Sequence, residues 1–160
     1  VAAGITLREA IDIYDGRKTS WPDGTPIRLV LRPKDDSDLD VLRGISKEFD
    51  AAVGRALRRP GMIVASTDKD AADIIENTPG SFGSLAQGMA IVENRKIKVF
   101  PLDGVTPGAK ALSEGVYPHE KRYSFVTVRS PSPATRRFLD FTRSRKAASI
   151  ISGAGYVPIR

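Results

Sequence analysis

Leu29, Val30 and Leu31 are consecutive large aliphatic residues, preceded by Ile27 and Arg28 and closed by Arg32. A strand with one wet face alternates apolar and polar residues, whereas a run apolar at every position fits a strand covered on both faces. Such a strand calls for helices above and below it, and the flanking sequence supplies them. Thr6-Leu7-Arg8-Glu9 reads as a capping box, Leu7, Ala10, Ile11 and Tyr14 fall on one helical face, and Gly16 stops the helix. Trp21-Pro22-Asp23-Gly24 is turn chemistry. After the apolar run, a single long helix is expected over about 38–59, with Leu39, Leu42, Ile45, Phe49, Val53 and Ala56 as its apolar stripe. Pro60-Gly61 ends it. A second strand is expected over 62–65, then a helix capped by Thr67 and stopped near Asn77-Thr78-Pro79-Gly80. Short extended or turning pieces follow at 81–86 and 89–92, with strands at 97–100 and 123–128. Thr106-Pro107 offers a cap and an N1 proline. Ser132-Pro133 opens a helix with Phe138, Leu139 and Phe141 at core spacing, and a last helix runs over 145–152. Strand and helix alternate throughout, the pattern of an α/β fold with a parallel or mixed sheet.

The 160 residues suffice for one domain or one lobe of a two-lobed protein. A chain of this size buries about 70% of its unfolded surface. No apolar run approaches the ~20 residues of a membrane span. With no cysteine, disulfides, thiol nucleophiles and thiolate metal sites are excluded. The sequence opens on Val1 without a charged-then-apolar leader, so any export signal is expected to have been removed already. The net charge of +6 admits an anionic ligand, nucleic acid or simple solubility.

Signatures of catalysis are missing. His119 is the only histidine, which rules out a histidine pair, and its place beside Pro118 and Glu120 reads as a surface loop. Gly80-Ser81-Phe82-Gly83-Ser84 is glycine-rich but matches no phosphate-loop spacing and reads as a tight turn. Asp35, Asp36, Asp38 and Asp40 form the densest acidic cluster; a cation site is one reading, and capping of a helix start is the plainer one. Arg136, Arg137, Arg143, Arg145 and Lys146 read as solvated helix faces. A basic nucleic-acid-binding module stays as a third alternative, predicting salt-dependent affinity.

Several segments carry a resemblance. They are ITLREAIDIYDGRKTSWPDGTPIRLVLRP, NTPGSFGSLAQGMA, PLDGVTPGAKALSEGVYPHEKRYSFVT and FLDFTRSRKAASIISGAGYVPI. In this order, over nearly the whole chain, they resemble the phosphate-binding proteins of bacterial ABC transporters. The resemblance implies a type 2 periplasmic-binding-protein fold: α/β lobes, each a mixed sheet flanked by helices, closing on a solute by hinge bending. It matches the later part of that family. Residues 1–118 correspond to a second-lobe α/β domain, and 119–160 to a return crossover strand and C-terminal helices that in the family pack on the first lobe. It also implies a non-enzymatic, periplasmic or otherwise extracytoplasmic solute-binding protein. The implied partners are a small-molecule or oxyanion solute and the membrane component of an ABC transporter, with no cofactor, no metal and no nucleic acid. Without a first lobe, the Phe138/Phe141 surface is expected to be covered by a second copy, giving a homo-oligomer through the C-terminal helices. A sensory or protein-interaction module is the alternative use of the same fold.

The family holds its oxyanion with an arginine at a strand end and a Gly-Ser-Gly-Thr-like turn at a helix N-terminus. Here Arg32 matches the arginine, while Asp36, Ser37 and Asp38 stand in the turn, with Ser37 the hydroxyl donor. Like charges 4 Å apart at an effective dielectric of 20 repel by about 4 kcal/mol, the whole free energy of millimolar binding. The expectation is therefore a degenerate oxyanion site whose ligand need not be phosphate. Arg32 contacts the ligand or pairs with these acids. In the first case, Arg32→Ala abolishes binding and leaves the fold intact.

Overall fold

The computed structural model describes residues 4–159; residues 1–3 and 160, the outer ends of the expected 1–118 and 119–160 division, lie outside the described residues. In chain order the elements are α1 (Leu7–Asp15), β1 (Arg28–Leu31), α2 (Ser37–Ile45), α3 (Lys47–Arg58), β2 (Ile63–Val64), α4 (Asp68–Asn77), β3 (Ser81–Gly83), α5 (Gln87–Val92), α6 (Ala109–Ser113), α7 (Pro133–Thr142) and α8 (Arg145–Gly153). The three strands form a parallel sheet in the order β2-β1-β3. Val30 stands opposite Ile63 on one side, and Leu29 opposite Phe82 on the other.

The apolar run of β1 explains this order. Successive side chains of a strand point to opposite faces. Leu29 and Leu31 join a core with Ile11, Tyr14, Leu39, Phe49 and Val53, supplied by α1, α2 and α3. Val30 joins Ala65, Ala71 and the partly buried Ile74 and Ile75 beside α4. A strand apolar on both faces is thus central, with helices on either side. Burial of a side chain such as Tyr14 or Phe49 contributes about 2 kcal/mol, and their rings meet edge to face at 5.0 Å.

The capping box forms as read: Glu9 N–H donates to Thr6 Oγ1 (3.1 Å), and Thr6 N–H to Glu9 Oε2 (3.0 Å). Thr67 and Ser132 cap their helices too. The expected long helix is instead two. Ser46 is extended, and its hydroxyl accepts from Phe49 N–H (3.0 Å), starting α3 anew. A serine hydroxyl offering a cap competes with continued helix, and α2 and α3 then pack against each other.

Other expectations are corrected. The 89–92 piece, expected to be extended or turning, belongs to the helix α5. Thr106-Pro107 does not cap a helix; Gly108 precedes α6. Residues 97–100 form no strand. The pairing falls one step later, where Ile5 N–H donates to Pro101 O (2.9 Å) and Ile5 bridges Leu102. Pro101 lacks an N–H, so a ladder cannot run through it. Residues 123–128 form no strand either, finding no ladder partner among the described residues. Their side chains are exposed, Val126 to 94%. Phe138 and Phe141 are not core: they are 51% and 42% exposed, with Phe138 meeting the exposed Phe125 edge to face.

Gly80 has φ +76°, and a Cβ there would collide with the Pro26 carbonyl. Gly44 lies exposed near the end of α2, with open space around it. Urea denaturation should therefore show opposite signs. Gly80→Ala is expected to cost about 2–3 kcal/mol, and Gly44→Ala to stabilise by about 0.5–1 kcal/mol.

Candidate functional site

β1 delivers Arg32 to the carboxyl end of the sheet, where α2 and α4 both begin. The side chain is only 3% exposed. Nη1 donates to Ala65 O (3.2 Å) and to Thr67 O, the two carbonyls of the turn into α4. Nη2 donates to Asp36 Oδ2 and Asp68 Oδ1, both at 2.7 Å. Arg32 is thus the partner of the acids. Asp36 is the N-cap of α2: its Oδ1 accepts from Asp38 N–H at 2.8 Å. Partial burial works against its charge, but the Arg32 hydrogen bond and the Asp38 amide outweigh it and hold the carboxyl below the ordinary range. Ser37 is exposed on the first turn of α2.

Asp38 turns inward and is buried. Its Oδ1 accepts from Lys121 Nζ at 2.7 Å, across 83 residues of sequence. Its Oδ2 is buried without a hydrogen-bond partner, and so is Ser84 Oγ beyond the end of β3. Burial opposes the charge of Lys121, yet the hydrogen bond to Asp38 and the nearby acids prevail and raise its pKa above the usual lysine value. Burial, reinforced by the Asp38 charge, pushes the Tyr14 hydroxyl well above the ordinary tyrosine range; the neighbouring Ser84 hydroxyl works against that shift, although the two groups do not meet in hydrogen-bond geometry.

Asp38, Ser84, Tyr14, Lys121 and Tyr123 share the wall of one pocket of about 350 Å³, whose remaining lining is largely apolar. It opens beside the carboxyl ends of β1 and β3, the neighbouring strands between which the chain reverses direction across the sheet, where open α/β sheets hold their ligands. Of the four residues expected at the site, Asp38 lines this pocket; Arg32, Asp36 and Ser37 lie outside its wall. Asp36 and Asp68 share Arg32, and Asp38 has Lys121, each contact at 2.7 Å, so two cations reduce the mutual repulsion expected of uncompensated carboxylates. Among the described residues no cluster of three or more acids and histidines is disposed to hold a metal ion.

Sequence reasoning missed Asp68, Ser84 and Lys121. Asp68 reads as an ordinary first-turn acid, and Ser84 as the end of a glycine-rich turn. Lys121 was passed over beside His119, which is half-buried against Tyr117 and also lines the pocket. Burial pulls the His119 pKa down, the Asp103 charge opposing.

The sequence profile of the PBP superfamily domain matches residues 1–146. The chain belongs to that family. It is 30% identical over 159 residues to the phosphate-binding protein PstS of Bacillus subtilis (strain 168), covering 97% of this chain and 50% of that protein. The chain therefore spans half the length of this relative. Its fold is similar to a crystal structure from Clostridium perfringens solved with bound phosphate (TM-score 0.71, 15% identity, 99% of this chain and 64% of that one). It is similar also to PstS from Borrelia burgdorferi (TM-score 0.67, 16% identity, 99% and 65%). These likenesses agree with the α/β architecture of a substrate-binding protein, its parallel sheet flanked by helices.

Arg32 holds two helix starts and one turn, so its removal should not leave the fold intact, contrary to the expectation from sequence. Arg32→Met strands two partly buried carboxylates and is expected to cost about 3 kcal/mol in urea denaturation at pH 7. The Asp36 carboxyl is depressed in the fold, so its contribution is present above the unfolded value of about 3.9 and is lost as pH falls through the lower folded value. Arg32→Met should flatten that acid limb. Unchanged stability and an unchanged acid limb would rule out the clamp.

Proposed function

We propose that this chain is the solute-holding lobe of an extracytoplasmic binding protein that serves an ABC transporter. We propose further that its solute is an oxyanion carrying a hydroxyl hydrogen, with hydrogen phosphate as the first to test. The observation that carries this reading is the pair of buried, unpartnered polar atoms, Asp38 Oδ2 and Ser84 Oγ, on residues of one pocket wall. A buried acceptor without a donor costs about 1–3 kcal/mol, and a P–OH group supplies that donor. The Ser84 hydroxyl donates in turn to an anionic oxygen. Sulfate, fully ionised at neutral pH, has no hydrogen to give Asp38. Arg32 and Asp36 hold the start of α2 in place, and Ser37 stands apart from the contacts. Nothing in this wall pairs a nucleophile with a base, so the role is binding and release. The membrane component of the transporter as partner, and an extracytoplasmic location, rest on the kinship with phosphate-binding PstS.

Thermal unfolding and calorimetry with phosphate and sulfate test the reading. Phosphate at 100 times its Kd adds about 2.7 kcal/mol, which raises Tm by roughly 5–10 °C for a chain of this size. Sulfate should bind about tenfold or more weakly. Asp38→Asn, whose amide can donate, should narrow the gap. Absence of a saturable phosphate effect, or equal binding of both ions, overturns the proposal.

A further inference from the structure

Arg32, the cation nearest the helix starts, has both terminal nitrogens committed to protein acceptors and does not line the pocket. The charge that receives an anion must come from another residue of the wall. The wall carries Lys98 and Lys121; Lys98 Nζ lies over the Phe100 ring, 5.2 Å from its centroid, whereas Lys121 stands at the polar end, its Nζ hydrogen-bonded to Asp38 Oδ1 at 2.7 Å and 5.6 Å from the Tyr123 ring centroid. An ammonium has three donors, and one serves Asp38. The Asp38–Lys121 pair is half complete: one carboxylate oxygen is matched and the other is buried without a donor.

The same lysine bears on how the segment around it is held. Residues 122–130 are all exposed and have no strand ladder. Among the described residues the ties from this segment to the rest of the chain are therefore side-chain ties: Lys121 to Asp38, Tyr123 edge to face with Tyr156 at 5.6 Å, and Phe125 edge to face with Phe138 at 5.5 Å. Tyr156 in turn lies against Gly88, where a Cβ would collide with its ring.

We infer that Lys121 is the specificity-determining cation of this pocket: anchored through Asp38, it seats the 119–128 segment on the lobe and offers its remaining donors to the solute anion. This rests on the solute-binding reading given above. An anion carrying one hydrogen completes the arrangement, accepting from Lys121 while donating to Asp38 Oδ2. Fully protonated or uncharged solutes keep at most a hydrogen bond from the ammonium and lose its charge attraction.

The test uses the whole chain and the variants Lys121→Met and Lys121→Arg, with inorganic phosphate as probe. Lys121→Met should lose phosphate affinity tenfold or more at constant ionic strength, and Lys121→Arg should retain most of it. Because the chain has no cysteine, Ser124→Cys accepts a single spin label. Without phosphate, the label should be more mobile in Lys121→Met than in the otherwise unchanged chain. A double-mutant cycle of Lys121→Met with Asp38→Asn should show coupling in the folding equilibrium. Wild-type phosphate affinity in Lys121→Met overturns the anion role and leaves the functional reading standing. Failure of the unsubstituted chain to bind phosphate overturns that reading, and the anion role with it. An unmoved label together with additive stabilities overturns the anchoring role whatever phosphate does.

Discussion

A buried guanidinium at the end of a central strand imposes heavy demands on its surroundings. Arg32 cannot lose its charge, and stranding it away from water would cost several kcal/mol. The fold meets that demand at both terminal nitrogens, with two carbonyls from the turn into α4 and two carboxylates, one capping α2 and one in the first turn of α4, and leaves Nε buried without a partner. These four acceptors come from two separate stretches of chain, Asp36 on one and residues 65–68 on the other. One side chain thereby fixes where both helices start relative to the sheet. The inward direction of Asp38 follows, because it sits on the first turn of the helix that Asp36 caps.

The pocket depends on that placement and on segments far along the chain. Asp38 comes from α2, Ser84 from beyond β3, and Lys121 and Tyr123 from the exposed stretch that precedes α7. Charge is largely compensated locally, since Arg32 serves both Asp36 and Asp68 and Lys121 serves Asp38. Polar demand is not balanced, since Asp38 Oδ2 and Ser84 Oγ have no partner. A surplus acceptor beside a surplus hydroxyl is what a small hydrogen-bonding anion would fill. The apolar face carrying Phe125, Val126, Phe138 and Phe141 is formed largely by α7 and the stretch before it, and none of these four residues lines the pocket.

Local chemistry was legible wherever one side chain acts on its own neighbours. The Thr6–Glu9 box, the Thr67 and Ser132 caps and the left-handed Gly16 involve residues within a few positions of each other, so their physics is written in order along the chain. The double-faced burial of Leu29, Val30 and Leu31 was legible too, because an unbroken apolar run has few other solutions. The break at Ser46 was harder, since the apolar stripe continues across it and only the hydroxyl signals a new start. The strand expected at 123–128 failed for a different reason: β patterning describes a strand's faces, not whether a neighbour exists to accept its hydrogen bonds.

By itself, then, the sequence determined the central strand, most helix starts and the presence of Arg32 beside an acidic turn. It also carried the kinship to substrate-binding proteins, since that kinship is a matter of ordered segments. Tertiary structure alone decided which of those charged groups line the pocket. Arg32 was turned into a structural clamp by Asp68, 36 residues away, and Asp38 was given its cation by Lys121, 83 residues away. Ion pairs of that kind leave no periodic trace, because their energy depends on distance in space and on burial, neither of which is encoded by spacing along the chain.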